Sequence, residues 1–284
     1  MSAKDMVLKP ITAKEANALV RRVHYSGKVV NNSQLHIGAF YRGKLEGAMQ
    51  FGPSLDKRKI MGLVDGTPWN GFLELNRMAF SDVLPRNSES RAIGIAMKLL
   101  RKYAPHVQWV VSFADGTQCG DGTIYRASGF VLTSIKPNNQ LWAFPDGQVA
   151  TRMVATDTRR PQRGRLLEGS ARAFSRGNAT KGGNIKETGG ASMRPFIEAG
   201  AKPLPGFQLR YLYFIDPTAR ERLTVPILPF SEIARRGAGM YKGQPHIGRQ
   251  PLESEGPPDQ GGIEGAAMRP VGSNAVAEAV RHGA

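Results

Sequence analysis

The chain reads as an α/β protein, a twisted mixed sheet with helices on both faces, and three observations carry that reading. Amphipathic helical stretches and short strand-like runs succeed one another through the first 150 residues. A β-rich run, Val107 to Val111, feeds straight into the polar, glycine-rich stretch Ser112 to Phe130, broken at Asp115-Gly116 and Asp121-Gly122. Ligands in α/β sheets sit at such strand ends. The third is an apolar content of 40%, enough for a real core in 284 residues.

The elements follow in order. Thr12 and Glu15 form a Thr-x-x-Glu capping box, and Ala16, Leu19, Val20 and Val23 make one apolar stripe, so a helix runs to about His24, with Gly27 free to cap it. Leu35–Tyr41 and Leu45–Phe51 flank Arg42-Gly43-Lys44 as a hairpin. Phe72–Phe80 is a strand whose strict alternation would put Glu74, Asn76 and Met78 on one face and Leu73, Leu75, Arg77 and Ala79 on the other. A helix from about Ser88 to Tyr103 carries the stripe Ile93, Ala96, Met97 and Leu100. A strand over Val107–Ala114, a short helix around Tyr125 and a strand over Phe130–Ile135 complete the first unit.

Composition then shifts. Thr151 to Lys186 holds nine basic residues against two acidic ones and few large apolar residues, which predicts a mobile basic arm. Order is expected to return at Pro203–Pro229, where Gln208–Ile215 is a strand, and the Gly/Pro-rich tail is expected to be disordered apart from a weak helical pattern at Ala275–Val280. The predicted organisation is a catalytic core over 1–150, a flexible arm over 151–202, core-completing strands over 203–232 and a tail over 233–284.

Lys+Arg 39 against Asp+Glu 23 gives a net charge of +16. Such a surplus favours a polyanion, because each neutralised phosphate releases a counterion. Nucleic acid is the leading partner and an anionic membrane surface the weaker one. No apolar run is long enough to span a bilayer, and no apolar region follows the N-terminal lysine, so a soluble, non-exported protein is expected. The single cysteine, Cys119, fits a reducing compartment. No helix-turn-helix or zinc-finger pattern is present, so tight sequence readout is not implied.

Two motifs carry chemistry. Arg91-x-x-Gly94-x-Ala96, placed between a strand and a helix, could offer backbone N–H groups and a helix N-terminus to a pyrophosphate; its alternative is an arginine and a glycine in an ordinary amphipathic helix. Tyr125, followed by Gly129-Phe130, could protonate a leaving thiolate; its alternative is a buried aromatic with a satisfied hydroxyl.

With the Ile124–Phe130 block, these motifs resemble the acyl-CoA-binding half of the GCN5-related N-acetyltransferase fold. A finer series is narrower: His24-Tyr25-Ser26-Gly27, Phe51-Gly52-Pro53, Glu74-Leu75-Asn76-Arg77, Asn87–Arg91, Ser112–Asp115 and Gly122–Tyr125 resemble, in order, the Mom family of phage DNA-modification proteins. The match covers roughly residues 6–135 and 209–229. The resemblance implies a phage-encoded enzyme of the host cytoplasm that places a small carbamoyl- or acyl-type group (methylcarbamoyl) on N6 of adenine in double-stranded DNA and so blocks restriction. It implies an acyl-CoA-type donor such as acetyl-CoA, and it raises an iron requirement. By matching position the functional set is His24, Tyr25, Arg77, Ser90, Asp115 and Tyr125, with Arg91, Gly94 and Ala96 at the donor.

The chemistry gives each a task. An adenine amine is a poor nucleophile and needs a base, for which His24 or Asp115 can serve. The target base must leave the duplex and stack, on Tyr25 or Trp69. Arg77 would meet phosphate, carbonyl or oxyanion charge, and Ser90 would stand near the donor's phosphates. Structural alternatives stand beside them: His24 as a helix C-cap, Arg77 bridged to Glu74 or Glu89, Asp115 as a turn former, Ser90 as an N-cap. His24 with Asp115 is a weak metal pair, and Cys119 has no histidine partner that would make it a nucleophile. The rival functions are acetylation of a protein or small amine, and non-catalytic shielding of DNA.

Overall fold

The computed structural model describes residues 2–159, 161–175 and 192–245. Its centre is a seven-stranded sheet in the order β1-β2-β3-β4-β5-β10-β6, from β1 (Val7–Pro10), β2 (Leu35–Tyr41), β3 (Lys44–Gly52), β4 (Phe72–Phe80), β5 (Trp109–Asp115), β6 (Val131–Pro137) and β10 (Phe207–Phe214). All neighbours are antiparallel except β4 and β5, which run parallel. The expected mixed sheet is the one observed.

The parallel pair matters most. β4 and β5 are in register only over Phe72–Glu74 and Trp109–Val111, and then they part. The pair is pinned at its closed end: the Phe72 and Trp109 rings stack at 4.5 Å and 9°, and the Trp109 indole N–H donates to Thr67 Oγ1 at 3.0 Å. The cleft expected where central strands separate lies beyond that point.

Helices cover both faces. α3 (Ser88–Tyr103) buries Ala92, Ile93, Ala96, Met97 and Leu100 against Met49, Phe51, Val110 and Leu209. α1 (Ala13–Val23) sits on the other face and buries Ala16 and Leu19 against Ala48. The Thr12–Glu15 capping box forms as read from the sequence, each residue taking the other's backbone N–H. α2 (Lys57–Met61) precedes Leu63 and Val64, which pack on the Trp109 side.

The strict alternation expected for β4 does not hold. Gln50 pairs with Arg77 but Phe51 pairs with Leu75, so β4 bulges at Asn76, and Leu75 and Asn76 are both buried. An extra residue flips the facing of all that follows. Arg77 therefore exerts its charge on Glu74, which alternation would have put on the opposite face.

The mobile arm expected from Thr151 onward is also corrected. The chain builds a second, smaller core first. β7 (Leu141–Ala143) pairs with β8 (Val149–Thr151) and β9 (Lys202–Pro203), and α5 (Arg152–Thr156), α6 (Pro161–Ser175) and α7 (Arg194–Glu198) accompany them. Trp142, Phe144, Leu166, Leu167 and Phe196 are buried together. They come from several short, separate stretches, so no local window shows the cluster. Residues 176–191 lie outside the described residues. β10 then enters between β5 and β6. The tail is not wholly without structure either: α8 (Ser231–Arg235) and a hairpin of β11 (Met240–Tyr241) and β12 (Gln244–Pro245) follow. The helical pattern at 275–280 lies outside the described residues. Among the described residues no helix is long and apolar enough to cross a membrane.

Candidate active site

The first wall of the cleft is β4 after its parting from β5. Asn76 accepts from Ser33 Oγ at 3.1 Å. Arg77 donates through Nε to the Lys28 carbonyl at 3.2 Å and through a terminal nitrogen to the Asn76 carbonyl at 2.8 Å. Among the described residues no carboxylate forms an ion pair with Arg77, so the proposed bridges to Glu74 and Glu89 are not made. A guanidinium held by neutral carbonyls keeps its charge available to a ligand.

Glu74 is the residue that sequence reasoning left out of the functional set. Burial pushes the pKa of its carboxyl up, against the pull of the Ser54 and Asn76 side chains and of Arg77. A desolvated carboxylate is a better base than an exposed one. The only sequence signal was an acidic residue in a strand that enters the chemistry-bearing region.

The end of α1 supplies His24 and Tyr25. His24 is the C-cap, its N–H donating to the Val20 carbonyl. Its Nδ1 accepts from the Ser26 N–H at 3.2 Å and lies 2.9 Å from Ser26 Oγ. Burial, then the Arg77 charge, lowers its pKa to about 4. The ring is therefore neutral at pH 7, with its proton on Nε2 when Nδ1 accepts. That geometry makes it a poor base and a good prop: its ring lies 4.1 Å from that of Tyr25, tilted by 33°. Tyr25 is 48% exposed. Desolvation of its hydroxyl and then the Asp115 charge raise its pKa, while Arg77 opposes them.

The opposite wall is the loop after β5 and the short helix α4 (Thr123–Arg126). Asp115 is engaged at both oxygens. Oδ1 accepts from the Thr117 N–H at 3.0 Å and Asn138 Nδ2 at 2.7 Å, and Oδ2 from Gln118 Nε2 at 2.8 Å. The expected turn-forming role is what these bonds express. Cys119 is exposed as a residue, yet desolvation of its sulfur raises the thiol's pKa, so it stays protonated.

Gly122 opens α4 at φ 85°, and a Cβ there would lie 2.5 Å from the Tyr211 ring, so only glycine fits. The turn it permits drops Tyr125 into the core against Phe130 and Tyr211, each at 5.4 Å between ring centroids. Burial pushes Tyr125 up to about 12, against the pull of the Ser112 hydroxyl. Its hydroxyl is a proton holder at any physiological pH.

Beside this cluster runs a groove of about 620 Å³ lined by Lys4, Arg86, Ser90, Arg91, Gly94 and Lys98, among others. The Arg91–Ala96 motif is not the strand-to-helix turn expected of it. The helix already starts at Ser88 behind Asn87 (φ 68°), and the Arg91 N–H donates to the Asn87 carbonyl. The turn's role passes to Asn87, and Ser90 sits in the first helical turn, its Oγ donating to the Asn87 carbonyl at 3.2 Å. Gly94 faces open space where a Cβ would meet nothing within 4 Å. Ala96 does not reach the groove; it is fully buried in the core. Four cations along the first turns of α3 suit a phosphate-bearing ligand.

The structure thus brings Arg77, Asp115 and Tyr125 within electrostatic range of Tyr25, with His24 behind that ring and Ser90 in the groove along α3. Trp69 is not tied to them. It precedes β4, and the Lys57 ammonium sits 4.3 Å from its ring. The pair His24 and Asp115 does not suit iron: both Asp115 oxygens are taken, Nδ1 of His24 faces Ser26, and among the described residues no three His, Cys, Asp or Glu converge.

The Mom protein family model matches residues 5–232, most of the chain. The chain belongs to the Mom protein family. Methylcarbamoylase mom of Escherichia phage Mu is 43% identical over 129 residues, which is 45% of this chain and 53% of that protein, so the chain spans about half the length of the relative it matches. A Bacillus subtilis acetyltransferase in complex with CoA aligns with 47% of this chain and 80% of its own at 13% identity and a TM-score of 0.34. The ribosomal-protein-S18-alanine N-acetyltransferase of Escherichia coli aligns with 51% and 88% at 14% identity and a TM-score of 0.34. A structural likeness of that size supports nothing beyond itself.

Proposed function

We propose that this Mom-family chain transfers a carbamoyl- or acyl-type group, methylcarbamoyl in the sense of its phage Mu relative, to N6 of adenine in double-stranded DNA, and that the product protects the DNA from restriction. The observations that carry the reading are a cationic groove along α3 and, on the parted strands and α4, a desolvated carboxylate, a guanidinium that no described carboxylate pairs with and a buried phenol.

The donor is an acyl-CoA-type thioester. Its phosphates lie in the groove against Lys4, Arg86, Arg91 and Lys98, with Ser90 and the open side of Gly94 at the wall. The target adenine leaves the duplex and stacks on Tyr25, which His24 holds in place. N6 attacks the thioester carbonyl as Glu74 accepts its proton. Arg77 stands against the oxyanion. The C–S bond then breaks, and the Tyr125 hydroxyl donates a hydrogen bond to the sulfur as charge grows there. The same burial that keeps this phenol protonated makes it a weak acid, well above an ordinary thiol. It therefore stabilises the thiolate and keeps its own proton. Glu74 returns the N6 proton to solvent.

Incubation of duplex DNA with the chain and an acyl-CoA, then digestion and mass spectrometry of the nucleosides, tests the reading. A heavier deoxyadenosine is expected, and its mass names the group. Unmodified deoxyadenosine beside an acylated protein or small amine would give the reaction to the rival acetyltransferase.

A further inference from the structure

Beyond residue 232, where the family match ends, the chain turns back over the site. Ile233 and Ala238 are buried in the main core, and Met240 is 6% exposed. From that anchor the β11–β12 hairpin is bound to the loop after β5. The Lys242 N–H donates to the Cys119 carbonyl at 2.7 Å, the Gly243 N–H donates to the Gly116 carbonyl at 2.9 Å, and Tyr241 bridges Gly120. The loop it holds is the one that carries Asp115 and faces Tyr25.

The tip of this strap is unusual for a two-residue turn. Lys242 and Gly243 both have positive φ, 51° and 74°. Asparagine or aspartate normally takes the first position, because a long side chain gains nothing from the left-handed conformation. A Cβ on Gly243 would approach the Thr117 carbonyl to 3.3 Å. The strained lysine is exposed, and among the described residues no carboxylate forms an ion pair with it. Its ammonium lies 5.2 Å from the Tyr241 ring, which is 51% exposed. A cation and a half-exposed aromatic thus stand together on the rim of the cleft, in a chain of net charge +16.

We propose that this strap grips the DNA strand that carries the target adenine: Lys242 takes a backbone phosphate, and the Tyr241 ring stacks on a neighbouring unpaired base. The inference rests on DNA being the substrate and adds the element that holds it. A phosphate contact and a stacking platform are the two features of a sequence-tolerant hold on an opened strand.

The test uses the full purified chain with Lys242→Asn and Tyr241→Ala. Asparagine keeps the turn and removes only the charge. The probes are a fluorescent duplex, the same duplex with one mismatched adenine, and coenzyme A alone, with a melting curve for each variant. Lys242→Asn is expected to weaken binding to both duplexes and to reduce the slope of log affinity against log salt by about 0.9. Tyr241→Ala is expected to weaken binding to the mismatched duplex on the order of tenfold at unchanged salt slope. Coenzyme A affinity and melting temperature should stay at wild-type values. Wild-type DNA binding by both variants would overturn the proposal. So would joint loss of coenzyme A and DNA affinity, which marks a loop support. A wild-type chain that grips DNA through these residues but modifies no adenine would leave the strap standing and sink the transfer reaction. A chain that binds no duplex sinks both.

Discussion

The cleft between β4 and β5 and the small unit built on β7, β8 and β9 handle charge in opposite ways. In the cleft, Glu74, His24, Tyr25 and Tyr125 are drawn out of water, and burial is the largest cause of each displaced pKa. In the small unit, Arg152 and Arg165 stand in solvent, and Arg159 pairs with Asp157 at 3.2 Å at the surface. Desolvation moves Glu74 toward neutral pH, where it can take a proton, and holds His24 neutral and the two phenols protonated, whereas solvated arginines can only attract. On the proposed function, that difference assigns reaction to the first region and adhesion to the second.

The largest break in that contrast comes at Tyr125. Tyr125→Phe keeps the ring's packing and removes the hydroxyl. It should lower modification about 100-fold or more, as loss of a single charge-stabilising donor does, while DNA affinity is retained. Undiminished deoxyadenosine modification at matched turnover time would take the phenol out of the reaction.

Glu74→Gln should lower the rate by about 100-fold, the lower range for loss of a general base. The pH dependence sharpens the point. A carboxylate whose pKa is raised must lose its proton to act, so wild-type activity falls as pH drops through that raised value. The variant's residual rate should show no such limb. A pH–rate profile identical in shape to the wild type would assign the limb to another group.

His24 tests the border between the two behaviours. Its folded pKa is about 4 against about 6.5 for a free imidazole. Between those values the unfolded chain binds the extra proton, so stability is held above pH 6.5 and lost as pH falls toward 4. His24→Gln should flatten that decline in melting temperature and cost modest activity through a looser Tyr25. Complete loss of modification with unchanged pH stability would instead restore the imidazole as the base.

The smallest effect is expected at the small unit. Arg152→Gln with Arg165→Gln should leave turnover at saturating DNA unchanged. The salt dependence of DNA binding should flatten by about 0.9 for each phosphate the variant leaves unneutralised. A fall in turnover at saturation would erase the division of labour.

Much of this was legible in residue order. Thr12 and Glu15 announced α1, and the Ile93–Leu100 stripe announced α3, because capping and helical periodicity are local. The convergence of Tyr25, Arg77, Asp115 and Tyr125 was legible only through the ordered series of family blocks. What stayed hidden depends on distant partners. The Asn76 bulge exists only against Gln50 and Phe51. The second core needs Trp142 to meet Leu166 and Phe196. The basicity of Glu74 comes from what covers it. The β11–β12 turn hid behind a lysine where an asparagine would have advertised it.

The Phe72–Trp109 stack has one more consequence. It acts as a rivet at the apex of a wedge, and Trp109 is completely enclosed. The aperture of the crevice is then decided by packing at its vertex, away from every reacting atom. A crevice set in that way would leave binding little rearrangement to make. Exchanging either ring for a smaller one would change the gape of the jaws while leaving every tooth in place.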